Sequence, residues 1–307
     1  TARGRMVRDD SGRPARIDGI LWDITERKRL ESEHVRVSRA LRMLSQSNQA
    51  LIHATDEKSL LSKVCEIVVE TGGHRLSWIG FAENDEAKTI RPVAHAGFES
   101  GYLESLKLTW ADTERGRGPS GIAIRTGKPK SVRDIATDPL MTPWRDAALE
   151  RGYRSSMALP LVTGGKTFGM IAVYSSEPNA FNDAEIKILE ELADDLSFGV
   201  ASLRADAERR SLEERLNIIF DNTTDGIILV DPESTRFMLG NKAICTMLGY
   251  APDELVGLSV ADIHPKESMP YVMEQFGRQM RGEISLARDI PLRRKDGGII
   301  YADVNAS

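Results

Sequence analysis

Gly118-Pro119-Ser120-Gly121-Ile122-Ala123-Ile124-Arg125-Thr126-Gly127-Lys128-Pro129 is the stretch around which the rest of this chain falls into order. Ser120 to Arg125 reads as a short helix that Thr126-Gly127 stops, and Lys130–Val132 follows as a short strand. Upstream, Ser59–Glu70 is helical and ends at Gly72-Gly73; strands follow at Leu76–Glu83 and Ile90–Ala96. A helix over Gly101–Leu106 and an irregular stretch lead up to Gly118. Downstream, Trp144–Arg151 is helical, and Ser155–Val162 pairs with Thr167–Tyr174 across Thr163-Gly164-Gly165-Lys166, a turn suited to glycine. A long helix from about Asp183 closes the unit, which spans 46–203 and is α+β.

Before this unit, Gly4–Arg8, a turn at Asp10-Ser11-Gly12, and Ala15 to Ile24 read as a β-hairpin. Two strands alone are marginal in water, so they are expected to be the last strands of a domain whose earlier part is absent. Gly19-Ile20-Leu21-Trp22-Asp23-Ile24-Thr25-Glu26-Arg27-Lys28 then runs from an apolar strand straight into a charged helix. The Thr25 hydroxyl is expected to cap that helix, which would begin at Glu26. Leu30, Val37, Leu44 and Leu51 fall seven apart, with Leu41 in one intermediate position and His34 and Asn48 in others. That spacing predicts a coiled-coil seam through the linker 28–45, or else an amphipathic helix packed on its own domain.

In the closing helix, Leu189, Leu192, Leu196, Val200, Leu203 and Ala207 again hold a coiled-coil spacing. Leu212, Leu216 and Ile219 resume it out of phase along the charged linker 204–216. A further α+β unit fills 217–307. Its strands are expected around Asp225–Asp231 and Phe237–Leu239, a helix at Ala243–Leu248, and a hairpin of Ile290–Arg294 and Ile299–Val304.

The unit at 46–203 resembles a GAF domain, a small-molecule sensing module of bacterial signalling chains. The resemblance rests on the stretch from Gly118, on Ser-Met-Ala-Leu-Pro-Leu from Ser156, and on Phe168-Gly169 followed by Ala180-Phe181. Residues 217–307 resemble a PAS domain of the sensory-box type, by the spacing of Asn241, Ala243, Leu248-Gly249-Tyr250, Glu254-Leu255 and Gly257. This PAS unit is expected to stop before its last strand. Residues 1–27 resemble the C-terminal hairpin of another PAS domain, with Asp23, Ile24 and Thr25 as its signal-output motif. The resemblance implies an antiparallel GAF sheet flanked by helices, then a PAS-like α+β domain, joined by long coiled-coil signalling helices. It also implies the sensory and relay region of a cytoplasmic signal-transduction protein. The output would lie downstream in a histidine kinase of a two-component system, or in a diguanylate cyclase. The contrasting expectation is a ligand-free dimerisation and spacer module.

Composition narrows the function classes. The 307 residues suit about two domains, and 41% hydrophobic with 28% charged residues fits a soluble globular chain. A net charge of −5 and a pI near 5.7 give no footprint for nucleic acid. No apolar run approaches the roughly 18–20 residues of a membrane span, so no membrane is expected in this segment, with tethering upstream left open. Cys65 and Cys245 read as buried free thiols of a reducing compartment, the cytoplasm.

No catalytic constellation emerges. His34, His53, His74, His95 and His264 are scattered without metal-ligand spacing, and phosphate-loop and nucleophile-elbow motifs are missing. No cofactor is expected. Cys245 lies outside the flavin-attachment motif of PAS domains, His264 sits in a loop His-Pro rather than as a haem ligand, and 133–157 holds no bilin-attachment cysteine. Cyclic-nucleotide and methionine-sulfoxide-reductase patterns of GAF relatives are unmatched too. What remains is a ligand pocket for an unidentified small molecule. In the GAF unit its candidates are Trp78, Phe81, His95, Trp110, Trp144, Tyr153 and Met157; in the PAS unit they are Phe237, Met273 and Phe276. The same rings would serve equally as core. The expected partner is a second copy of the chain, bound through the linker helices.

Overall fold

The computed structural model describes residues 2–8, 11, 13–21 and 23–305. β1 (Ala2–Arg8) and β2 (Pro14–Leu21) pair antiparallel, with Ala2 opposite Leu21 and Val7 opposite Arg16. Asp10, Gly12 and Trp22, part of the expected turn and junction, lie outside the described residues. α1 (Thr25–Ile52) starts at Thr25 itself. Its cap differs from expectation. The residue before it, Ile24, offers no side-chain acceptor, and the Asp23 carboxylate takes the Thr25 N–H at 2.8 Å. The Thr25 hydroxyl and N–H together hold the Asp23 carboxyl below the usual range. A carboxylate outcompetes a hydroxyl for a helix's first N–H groups because it carries full charge.

α2 (Glu57–Glu70) begins two residues before the expected Ser59, because Asp56 caps it by accepting the Ser59 N–H at 2.9 Å. β3 (Leu76–Ala82), β4 (Ile90–Gly97), β5 (Lys130–Val132), β6 (Ser155–Thr163) and β7 (Lys166–Ser175) form one antiparallel sheet ordered β4-β3-β7-β6-β5. The β6–β7 turn places Gly164 at φ 57° and Gly165 at φ 75°, the left-handed pair that a two-residue hairpin needs. Between β4 and β6 the chain runs through α3 (Tyr102–Ser105), α4 (Pro119–Thr126) and α5 (Arg145–Glu150). α6 (Asp183–Asn222) follows β7.

The sheet separates two cores. On one face Ile79, Leu159, Ile171 and Val173 pack against α1, α2 and α6 through Met43, Leu61, Val64, Leu192 and Leu196. On the other face Trp78, Ala158, Ala172 and Tyr174 meet the segment that carries α3, α4 and α5. Alternation along each strand sorts them. The expected seams serve this first core. Leu44 is buried in it with Val37 and Leu51 packed alongside, and Leu189, Leu192, Leu196 and Val200 are buried with Leu203 partly so. A Cβ at Gly199 would come within 2.0 Å of Leu51, so α6 and α1 lie in close contact there. Leu30, Leu41, Leu212, Leu216 and Ile219 remain exposed.

This helix-side core also buries polar groups without partners, among them Ser47, Ser77 and the Glu185 carboxylate. Glu185 and His74 are 5% and 8% exposed, with Oε1 3.8 Å from Nε2, while Phe181 stacks on the imidazole at 5.6 Å. Asn182 accepts the Glu185 N–H at 2.9 Å, but Glu185 Oε2 has no hydrogen-bond partner. Burial pushes the Glu185 carboxyl up to about 7 and the His74 imidazole down to about 4.

Residues 207–307 form a second compact unit. It contains β8 (Ile228–Val230), β9 (Phe237–Gly240), α7 (Lys242–Leu248), α8 (Pro252–Leu255), α9 (Met269–Met280), β10 (Leu286–Arg293) and β11 (Ile299–Asn305). Two antiparallel ladders are formed, β8 with β9 and β10 with β11. β10 starts before the expected Ile290 and is interrupted between Ala287 and Ile290, where Asp289 takes φ 54°. Asn241 organises the unit. Fully buried, it accepts the Ile227 and Ile244 N–H groups and donates to the Phe220 and Asp225 carbonyls, so its amide is saturated. Among the described residues no helix is long and apolar enough to cross a membrane.

Candidate functional site

The face of the GAF-like sheet away from the long helices is aromatic and irregular. Tyr102 from α3, Tyr153 before β6 and Tyr174 on β7 meet with ring centroids 5.0–5.8 Å apart, and Tyr153 donates its hydroxyl to the Phe98 carbonyl. Burial pushes all three phenols up, so they stay protonated.

The stretch from Gly118 supplies the opposite wall. Arg125, at the end of α4, donates from Nη1 to the carbonyls of Trp110, Ala111 and Gly116 at 2.9, 3.1 and 2.6 Å, tying the preceding loop to the helix. The glycines follow from that closeness. A Cβ at Gly116 would lie 1.7 Å from the Ala111 carbonyl oxygen, and one at Gly121 would lie 2.1 Å from that of Gly116. Gly118 sits against the Trp144 ring, where a Cβ would come within 2.4 Å. Trp144 donates its indole N–H to the Leu106 carbonyl at 3.2 Å, which also accepts from Arg115 Nη1 at 3.2 Å.

These parts enclose a cavity of about 20 Å³, lined among others by Tyr102, Leu106, Arg115, Ser120, Met141 and Trp144. That is room for about one water. Ser120 is 8% exposed, and its hydroxyl has no hydrogen-bond partner among the described residues. The helix start beside it has Gly118 as its cap, so no side chain covers the first-turn N–H groups.

Of the expected pocket residues, Trp144 lines the cavity. Trp78 and Tyr153 are fully buried in the same aromatic core, and Trp110 is half-buried at its margin. The Trp110 indole donates to the Glu83 carbonyl at 2.9 Å beneath Lys88. Phe81 and Met157 are corrected: both belong to the helix-side core, because each lies an odd number of residues from a cavity-side neighbour on its own strand. His95 is corrected as well. It shares Trp78's face by register but stands exposed on the edge strand β4, neither in a cavity nor in the core. Tyr102, Tyr174, Arg115 and Ser120 are the residues that sequence reasoning missed. The glycine-bounded, uncapped helix start at 118–121 was the signal for the last two.

In the second unit Phe237 is core, 3% exposed. Met273 is 47% exposed and Phe276 half-buried, because α9 turns Val272 and Gln279 inward and Met273 is one residue round from that face. They do not converge on a cavity. An open cleft of about 530 Å³ instead lies along Phe220, Leu239, Lys242, Cys245 and Tyr250. His264 is structural: it is buried, and Nδ1 donates to the Pro291 carbonyl at 2.7 Å. The two cysteines are buried free thiols, the Cys65 thiol pushed up to about 12 and that of Cys245 also raised, both by burial. Among the described residues no group of three or more His, Cys, Asp or Glu side chains could hold a metal.

Comparison with known proteins identifies the two units. A GAF-domain family matches residues 54–201 and the PAS fold matches residues 214–307. The chain is 24% identical over 305 residues to the methyl sulfide methyltransferase-associated sensor of Methanosarcina acetivorans, covering 99% of this chain and 30% of that protein. It is 31% identical over 102 residues to the cell-division control histidine kinase PdhS of Brucella ovis, covering 31% of this chain and 10% of the kinase. The chain therefore spans a minor part of the length of these relatives. Among solved structures, it is similar to the GAF domain of a phosphoenolpyruvate-protein phosphotransferase from Coxiella burnetii, with 20% identity and TM-score 0.48 over 56% of this chain and 98% of that one. It is also similar to a free methionine-R-sulfoxide reductase from Neisseria meningitidis, with 18% identity and TM-score 0.45 over 55% of this chain and 93% of that one.

Proposed function

From a chain that carries a GAF domain followed by a PAS fold, we propose a sensory and relay region in which the cavity beside α4 binds a small ligand. The GAF sheet passes the change to α1 and α6, and α6 leads on to the PAS unit and a downstream histidine kinase. The observation that carries this reading is the two-sidedness of one sheet. The same five strands hold the cavity aromatics on one face and the long helices on the other. A shift of a cavity-side residue such as Tyr174 displaces its neighbour Val173, which packs toward the helices.

The relay is proposed to operate in a cytoplasmic homodimer. Leu30, Leu41 and Ile52, eleven residues apart on α1 and 52%, 53% and 79% exposed, fall on one side of the helix and suit a second copy. Asp23, Ile24 and Thr25 would couple the preceding domain to α1. In the full-length protein, Asp23→Ala with Thr25→Ala is expected to remove the stimulus-dependent change in autophosphorylation while leaving the melting temperature of the GAF unit unchanged. Signalling that survives both substitutions overturns this part of the reading.

One observation favours the rival, a ligand-free spacer: at about 20 Å³ the cavity is closed to any organic molecule unless its wall moves. Titration of the cavity separates the two.

A further inference from the structure

We propose that the cavity at the head of α4 takes a small organic monocarboxylate with an apolar body, its carboxylate held by the Ser120 and Gly121 N–H groups, the Ser120 hydroxyl and Arg115. The inference rests on the reading of this cavity as the sensory site and adds the chemical class of what enters it.

Three independent features select an anion. The first is charge. Arg115 is the charged residue in the cavity lining, and it pairs with no carboxylate among the described residues; its one hydrogen bond there goes to the neutral Leu106 carbonyl. The second is the helix start. Pro119 occupies the first position of α4 and Gly118 provides no capping side chain, so the N–H groups of Ser120 and Gly121 face the cavity without an intrahelical acceptor. The third is Ser120 itself, a residue 8% exposed that lines the cavity and whose hydroxyl makes no hydrogen bond among the described residues, so it can donate to what enters. Arg115 is exposed at the cavity rim, where it repels a cation and gives a carboxylate a charge-assisted hydrogen bond that a neutral carbonyl compound lacks.

The rest of the lining selects the body of the ligand. Leu106, Met141, Trp144 and Ile90 are apolar, and no acidic side chain lines the cavity. Once the wall opens, a short aliphatic or aromatic acid would cover these surfaces, which a bare oxyanion would leave unused. The cavity as it stands has room for about one water, so the acid would enter only with an outward swing of the loop of 107–118. Arg125 ties that loop to α4 through its carbonyls at 110, 111 and 116, leaving Arg115 on the tethered segment. Ligand binding would therefore register at Trp144, which lies against Gly118 and shares the Leu106 carbonyl with Arg115.

The test uses the whole chain. Phenylacetate, hexanoate and acetate are titrated beside phenylacetamide, hexanamide and inorganic phosphate at fixed ionic strength, by calorimetry and by the NMR resonance of the Trp144 indole N–H. Phenylacetate or hexanoate is expected to bind at least about tenfold tighter than its amide and to move the Trp144 resonance, with acetate and phosphate weaker. Arg115→Gln is expected to remove that preference for the acid, and Ser120→Ala to weaken the acid severalfold, both with unchanged melting temperatures. Amides that bind as tightly as acids and move Trp144 would overturn the anion while keeping the cavity as the sensory site. Silence of the Trp144 resonance throughout the series would overturn both readings.

Discussion

The two faces of the GAF sheet are built from alternate residues of the same five strands, yet they differ in kind. The helix face is closed by aliphatic side chains from α1, α2 and α6, among them Val64, Leu189 and Leu192, each at most 1% exposed. The opposite face is closed by short helices, loops, three tyrosines and two tryptophans, with carbonyls bound by Arg115, Arg125 and Trp144 in place of regular ladders. Aliphatic packing between a sheet and long helices is stiff and transmits displacement. A wall of loops tied down by a few guanidinium groups opens at lower cost. One sheet thus has a yielding side, where under the proposed function a ligand would enter, and an unyielding side, where a shift would be passed on.

The largest effect is expected on the stiff side. Leu192→Ala removes a side chain that is 1% exposed at the contact of α6 with the sheet, leaving a cavity the surrounding helices cannot fill. It should cost about 3 kcal/mol of stability, read by urea unfolding of the GAF unit. A loss below about 1 kcal/mol would mean that this face repacks as freely as the other and would end the contrast.

Gly118→Ala probes the yielding side. The backbone there has φ −70°, open to any residue, so the only obstacle is the Trp144 ring, 2.4 Å from the new Cβ. The ring is expected to move outward at a cost of about 1–2 kcal/mol, with a displaced Trp144 indole resonance. Resonances of helix-face methyl groups such as those of Leu192 should stay in place. If they move as well, the sheet carries even a small change on the cavity side through to α6, which sharpens the comparison into a mechanism.

The element order of both units was legible in the sequence, because helix-stop glycines, hairpin glycines and period-two runs act locally. The Gly164-Gly165 turn and the α4 helix sat within a residue or two of where their residue types put them. Which side of the sheet each aromatic would take was harder. Trp78 and Phe81 are three apart on one strand and therefore fall on opposite faces, though both are large rings in the same run. The heptads were legible as apolar stripes, but a stripe looks the same whether it meets a partner helix or its own sheet. Val37, Leu44, Leu189 and Leu196 proved to meet the sheet core. Arg115, Ser120, Tyr102 and Tyr174 were missed because they come together only in three dimensions, from α3, α4, β7 and the loop before α4. The PAS unit was legible in the spacing that begins at Asn241, but not the role of that residue as the cap of α7 and the tie of four backbone groups.

The smallest effect expected, and the most specific, concerns a buried carboxyl on the stiff side. Glu185 is buried at the first turn of α6 with one oxygen unpartnered, His74 3.8 Å from the other, and the Arg36–Glu177 ion pair nearby. Its folded value of about 7 lies above the ordinary 4.5, so the folded chain keeps a proton that the unfolded chain releases. The stability this contributes is complete below about pH 4.5 and is lost as pH rises through 7. His74 acts in the opposite sense. Lowered from 6.5 to about 4, it contributes stability above pH 6.5 that is lost as pH falls through 4. Glu185→Gln keeps the neutral shape and removes the first of these dependences. Relative to the natural chain its melting temperature should be unchanged near pH 4 and higher at pH 8, by an amount equivalent to about 1 kcal/mol once the surroundings relax around the ionised carboxylate. A difference that is the same at both pH values would show that Glu185 is already ionised in the folded chain. The helix face would then contain a buried charge, a poorer conductor of small shifts than the closed aliphatic layer that sets it apart from the cavity side.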